Sequence, residues 1–448
     1  MRRAGAARTA WRRVLLKALA LPLGRPRGAT GRSRAAVGAV RSLPGAGPGP
    51  AGHARSARRS RVLVIRPDHL GDLLLTTPAL GLLRAALPDG RITALVGPWA
   101  RPALAGRPEI DTVRTCAFPG FTRQPPGQPW APYWQLITEA RRLRRDRYDI
   151  ALVLRADHWW GAALAAYAGI PLRLGYGVAE SRAFLTHALP PDLAQHSVTE
   201  NWRAVVALLG VLGVPQPASG PEPVVAAPSP AGQAAAARFL RERGVPAETP
   251  LVAIHPGTGA SVKLWPAAYW SAVADALGRR LGARIILTGS RAERDLVAAV
   301  RAGMQTDAVD ATGALDWDGL AGLFARCTLV LGVDSGPLHL AAAVGVPSVH
   351  VFGPTAPARF GPRGRGAHEI VRSALPCSPC GNLLAPPCGA RTEPACMRAI
   401  HPMAVIDAAL AVLGAPIAGP APTAAAGALA ARTPLAVSRA AGTVSSQR

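Results

Sequence analysis

Residues 61–87 read RVLVIRPDHLGDLLLTTPALGLLRAAL, and the pattern changes once along the way. Arg61–Ile65 is an apolar, β-branched run without alternation, as expected of a strand covered on both faces. The loop Arg66–Gly71 follows, with Gly71 free to turn tightly. From Asp72 to Leu87 apolar residues recur at helical spacing, until Pro88 and Gly90 end the run. Strand, short loop, helix is the opening of a βαβ unit. Downstream the same grammar predicts a strand over Ile92–Val96, an Arg-rich helix over Trp134–Arg147 and a strand over Ile150–Leu154. Helices follow over Ala162–Ala168 and Thr199–Leu212, the latter with Thr199 as candidate cap.

Val214–Pro230 is rich in Pro, Gly, Ala and Ser and reads as a connection between domains. Beyond a helix over Ala231–Arg243 a second α/β series begins. Its strands are expected at Leu251–Ile254, Arg284–Thr288, Thr328–Val333 and Ser348–Phe352. Its helices are expected at Pro266–Arg280, Glu293–Met304, Trp317–Ala325 and Pro337–Val344. The fold class is therefore α/β, with parallel sheets covered by helices on both faces. The organisation reads as a leader 1–60, a first domain 61–213, a linker 214–230, a second domain 231–412 and a low-complexity tail 413–448. A cleft between the halves, at the carboxyl ends of the strands, is the expected site.

The formal charge of +25 is unevenly placed. Fourteen Lys and Arg and no acid lie in residues 1–60, and three Arg and no acid in 413–448. Taking both away leaves +8 for the remainder, which argues against a core built to grip nucleic acid. It suits an anionic small molecule. The leader can be read as a disordered tail, the product of a misassigned start codon, a targeting segment, or a basic arm that docks on anionic lipid. Its apolar stretch Val14–Leu23, broken by Lys17, is too short to span a bilayer. The protein is thus expected to be soluble or peripheral.

Three strand-to-helix loops carry the candidate chemistry. In the first, Asp72 is either a helix cap or a general base for a hydroxyl nucleophile; Asp68 is a loop carboxylate. In the second, His255-Pro-Gly257-Thr258-Gly-Ala-Ser-Val-Lys263 joins glycines, which let backbone N–H groups approach an anion, to a lysine. It is not a P-loop, because G-x-x-x-x-G-K-[ST] is missing. Lys263 stands out because the chain has one other lysine, Lys17, among 51 basic residues. In the third, Asp334, Ser335, Gly336 and His339 open a helix. Asp334 and Ser335 are expected to cap it, and their neighbourhood could cradle a diphosphate. Glu293, after Thr288-Gly-Ser-Arg-Ala, is either a ribose contact or a first-turn acid.

Asp316-Trp-Asp318 resembles a metal-binding pair but precedes a helix, where capping explains it. Cys377, Cys380, Cys388 and Cys396 have spacing C-x2-C-x7-C-x7-C. Metal, disulfide and packed-thiol readings all remain open for them.

In this order and spacing, RPDHLGDLLLTTPAL, HPGTGASVKLWPAAYW, TGSRAERDL and DSGPLHLAAAVGVPSVHVFGPTAPARFGP resemble glycosyltransferase family 9, the ADP-heptose:lipopolysaccharide heptosyltransferases. The ending CSPC…C…CM is similar too, and the resemblance runs from about residue 61 to 412. It implies a GT-B fold of two Rossmann-like domains facing across a cleft, an inverting mechanism and no required metal or other cofactor. It implies Asp72 as catalytic base. Gly257, Thr258, Lys263, Glu293, Asp334, Ser335, Gly336 and His339 become contacts to the donor and its phosphates. The implied substrate is a nucleotide-sugar, ADP-heptose, and the acceptor a glycolipid or polysaccharide. The implied place is the cytoplasm, peripheral to the inner membrane, with no nucleic-acid partner. Pro67 and His69 depart from the family's usual first loop and leave acceptor choice open. The rivals are a nucleotide-sugar epimerase of the same fold, which needs no acceptor, and a non-catalytic binding protein.

Overall fold

The computed structural model describes residues 59–122, 128–192, 194–414 and 436–439. The leader through residue 58 and most of the tail lie outside the described residues. The chain folds into two compact units. One takes in the residues up to 193 with Val198–Pro221, the other Ala194–Ser197 with Glu222 onward.

The first unit is built on six strands: β1 (Arg61–Arg66), β2 (Arg91–Val96), β3 (Thr112–Thr115), β4 (Ile150–Val153), β5 (Leu172–Tyr176) and β6 (His187–Leu189). All pair in parallel, in the order β3-β2-β1-β4-β5-β6. Val62 to Ile65 are buried, as the unbroken apolar run requires. β1 and β4 are neighbours whose onward connections leave in opposite directions. Their loops therefore diverge and open a crevice at the carboxyl ends of these two strands.

The second unit repeats the plan. Its strands are β7 (Leu251–His255), β8 (Arg284–Leu287), β9 (Ala308–Asp310), β10 (Leu329–Val333), β11 (Ser348–Phe352), β12 (His368–Arg372) and β13 (Ala436–Arg439). Reading from β9 the order is β9-β8-β7-β10-β11-β12, parallel throughout, with β13 antiparallel on the outer edge. The corresponding crevice lies between β7 and β10. Trp265 and Trp270 anchor the core beneath it, their rings 4.6 Å apart edge-to-face.

The helix expected over Asp72–Leu87 is two helices, α1 (Leu70–Leu74) and α2 (Thr77–Ala86). Pro78, in the first turn of α2, has no N–H to return to the Leu74 carbonyl. The Thr77 hydroxyl supplies that bond instead, at 2.8 Å, and the axis breaks. The Arg-rich helix is α3 (Ala131–Arg145), followed by α4 (Trp159–Tyr167) and α5 (Ser197–Leu212). Thr199 lies inside α5 and is not its cap. In the second unit run α6 (Pro230–Glu242), α7 (Ala267–Leu281), α8 (Arg294–Ala302), α9 (Trp317–Arg326) and α10 (Gly336–Val344). Short strands β3, β5, β6, β9 and β12 had no apolar run long enough to signal them. Part of the Pro-rich connection is docked: Val224 is buried and its N–H bonds the Arg363 carbonyl at 2.8 Å. No helix among the described residues is long and apolar enough to cross a membrane.

Candidate functional site

In the first unit the crevice collects a buried ionic network. Arg66, the last residue of β1, donates to the Leu154 carbonyl at 2.5 Å and to Asn201 Oδ1 at 3.0 Å. Its guanidinium also pairs with Asp68 at 2.7 Å and lies 4.0 Å from Asp72 Oδ1. Asp68 is buried and paired on its other side with Arg155, just past β4. Burial pushes the Asp68 carboxyl upward, but the two guanidiniums outweigh it and hold the group below the ordinary carboxylate range. Asp68, expected as a plain loop residue, is thus the buried anchor of the loop. Asp72 is different: its side chain is 32 % exposed and sits in the first turn of α1, whose N-cap is His69. Asp72 is thus a first-turn acid of α1 rather than its N-cap residue. It is a carboxylate at the crevice with a guanidinium beside it.

In the second unit the glycine loop after β7 and the opening of α10 meet. Lys263 Nζ donates to the Asp334 carbonyl at 2.6 Å and to Asp334 Oδ2 at 3.1 Å. Thr258 Oγ1 donates to the same carbonyl at 3.4 Å. His339 Nε2 lies 3.7 Å from the other Asp334 oxygen. Burial raises the Asp334 carboxyl, yet Lys263 and then His339 hold it below its usual value. Burial keeps His339 on the neutral side, against the pull of Asp334. Ser335 occupies the N-cap position of α10, but its side chain makes no cap bond. Its hydroxyl is buried and finds no partner among the described residues, and neither does His339 Nδ1. The expected capping by Asp334 and Ser335 is thus not made. Asp334 is spent on Lys263, and the Ser335 hydroxyl is left beside the free N–H groups of the first turn.

Glu293 joins this neighbourhood. A Cβ on Gly257 would lie 2.1 Å from Glu293 Oε1, so only glycine admits that carboxylate. Its other oxygen accepts from Ser290 N–H and Ser290 Oγ, each at 2.7 Å, forming a capping box before α8. The first-turn reading of Glu293 is the one these bonds show. Asp316 caps α9 by accepting from Gly319 N–H at 2.8 Å, and Asp318 accepts from Ser229 N–H at 2.9 Å. All six cysteines are free, so the disulfide reading of Cys377, Cys380, Cys388 and Cys396 does not hold. Among the described residues no group of three or more His, Cys, Asp or Glu is arranged to hold a metal ion.

Sequence reasoning passed over Arg66, Arg155 and His158. The signal was available: Arg155-Ala-Asp157-His158 follows the strand beside β1, where the crevice rule applies. Arg155 pairs with Asp157 at 2.6 Å as well as with Asp68. Burial lowers His158 to about 4, so its ring is neutral near pH 7. Beside it lies a pocket of about 320 Å³, walled by Phe121, Tyr133, Asp157, Trp159 and Trp160.

The sequence model of Glycosyltransferase family 9 (heptosyltransferase) matches residues 137–385. Lipopolysaccharide heptosyltransferase 3 of Escherichia coli is 32% identical over 295 residues, covering 64% of this chain and 81% of that protein. A glycosyltransferase family 9 structure from Veillonella parvula superposes with a TM-score of 0.63 at 24% identity, covering 79% of this chain and 97% of that one. The structure of E. coli ADP-heptose lps heptosyltransferase II gives 0.62 at 21% identity, over 79% and 98%. These two likenesses establish the shared GT-B architecture.

Proposed function

We propose, from the premise that this chain belongs to glycosyltransferase family 9, that it moves heptose from ADP-heptose onto a glycolipid or polysaccharide acceptor with inversion. The acceptor class is supported by its relatives, which are named lipopolysaccharide heptosyltransferases. The observation that carries the reading is Lys263 held on Asp334 beside the unpartnered Ser335 hydroxyl at the start of α10. An ammonium has three donors. Asp334 takes two, which leaves one N–H for a phosphate oxygen. The N–H groups of the first turn of α10 and the Ser335 hydroxyl complete an anion cradle. Asp334 also offsets the lysine's charge until the diphosphate arrives, so Lys263 is kept in place without an unpaired buried ammonium.

Asp72 acts as general base in this reading. The acceptor hydroxyl attacks the anomeric carbon, its proton passes to Asp72, and the bond to the diphosphate breaks with its electron pair leaving on ADP. Lys263 and the α10 donors stabilise the charge that grows on the leaving group. The Arg66 guanidinium lies 4.0 Å from the Asp72 carboxylate, on the crevice side of the loop. One displacement inverts the anomeric centre, and no metal is needed. The residues between Thr288 and Glu293 are assigned to the donor's ribose. The reaction is placed in the cytoplasm, peripheral to the inner membrane, where a glycolipid acceptor is reached from its headgroup side.

The test is ADP release from ADP-heptose with and without a heptose-free core glycolipid, with the new linkage read by NMR. Acceptor-dependent release and an inverted linkage are expected. A retained linkage would reject the single displacement. Donor consumption without acceptor would favour epimerase-like chemistry instead.

A further inference from the structure

We infer that the solvent-facing arc of α3 is a docking surface for anionic lipid. The residue before the helix, Trp130, and Trp134 one turn later are each 63% exposed, and Ile137 another turn on is 39% exposed. Large apolar side chains so open to water are few among the described residues, and three of them share one stripe. At 100° per residue, Arg141, Arg144 and Arg145 continue the same arc, and all three are exposed, as are Arg142 and Arg147 beside them; Arg144 also donates to the Tyr167 carbonyl at 2.7 Å. The opposite side, Leu136, Ala140 and Leu143, is buried against the unit. Both acids of the segment are engaged: Glu139 pairs with Arg142 at 2.7 Å, and Asp146 pairs with Arg114. The face is thus aromatic at its N-terminal end and strongly basic at its C-terminal end.

That chemistry fits a membrane surface better than a protein partner. The centre of a protein interface is depleted of charge, whereas here the apolar stripe runs directly into arginines. An indole has an apolar body and one N–H, and settles at headgroup depth. Arginine lays its stem along the acyl boundary and forks onto phosphate. The helix is about 22 Å long, too short to span and suited to lie in the interface. This is the surface a glycolipid acceptor demands, and to that extent the inference rests on the reading above.

The test is co-sedimentation of the full chain with vesicles of phosphatidylcholine alone and of phosphatidylcholine with one-third phosphatidylglycerol. Binding is expected to the anionic vesicles, weakened by raising salt toward about 1 M. Trp130→Ser with Trp134→Ser should lower the partition about tenfold or more. Charge reversal at Arg141 and Arg145 should lower it about fivefold per arginine. Both variants keep the leader, so its contribution is constant. Their melting temperature and ADP affinity should be unchanged, since these side chains are exposed and outside both half-sites. Unaltered partition in both variants would overturn the inference and put any lipid contact elsewhere. So would a dimer in light scattering that the tryptophan variant abolishes while vesicles bind neither protein. The vesicles contain neither donor nor acceptor, so a failed partition leaves sugar transfer standing, and failed transfer leaves docking standing.

Discussion

Lys263→Ala would leave the Asp334 carboxylate buried without its ammonium. At 3.1 Å and an effective dielectric of about 20, the attraction removed is about 5 kcal/mol. Breaking a buried pair by deleting one partner costs about 3–5 kcal/mol in comparable cases. His339 remains beside Asp334 at 3.7 Å, so about 3 kcal/mol, the low end of that range, is expected near neutral pH. The sign of its pH dependence is diagnostic. In the parent, Asp334 titrates below its unfolded value, so the pair's stabilisation is present above the ordinary carboxylate range and is lost as pH falls through it. In the variant, burial prevails and the carboxyl rises above its unfolded value. It then takes up a proton on folding, and the defect shrinks as pH falls. Urea unfolding followed by tryptophan fluorescence at about pH 8 and about pH 5 measures both penalties. Adding Asp334→Asn to the variant should recover most of the loss. An equal penalty at both pH values, or none, would refute the account of this pair.

Asp72→Asn should fold and bind ADP normally while kcat/KM falls about 10²–10⁴-fold; near-parental turnover would remove Asp72 from the chemistry. Lys263→Arg can keep a charge against Asp334, yet its planar fork cannot offer the same compact third donor. Titration with ADP should show about tenfold or greater weakening, and unchanged affinity would move the phosphate site away from Lys263. Gly257→Ala should push the Glu293 carboxylate out of its seat, costing about 1 kcal/mol of cap and about tenfold in ADP affinity. A melting shift without an affinity change would make Glu293 a cap alone.

The framework was legible because the strands that decide it, β1, β7 and β10, are apolar runs ending in glycine- or acid-bearing loops. Lys263 was legible because it is a lysine in an arginine-rich chain. What pattern could not supply was partnership across distance in sequence. Nothing local to Asp68 announces that Arg155, 87 residues on, will bury it. Nothing local to Ser335 announces that Asp334 will turn to a lysine 71 residues away and leave the hydroxyl unbonded. Edge strands such as β3 and β6 escaped because short, half-buried strands have too few apolar residues to show a period. The helix break at Thr76 was foreseeable from Pro78 and was overlooked because apolar spacing ran on across it.

The rarity of lysine has a practical corollary. Lys263 is the sole primary amine among the described residues; Lys17 and the α-amino group of Met1 lie outside them. A reagent selective for amines therefore addresses one position among the described residues. That position is shielded and salt-bridged, with 14% of its side chain exposed. Its acylation rate should be slow in the free protein and slower still once a diphosphate occupies the third N–H. Peptide mass spectrometry after timed labelling would then report nucleotide occupancy in whole-cell extract, without radioactive donor, acceptor or any engineered probe.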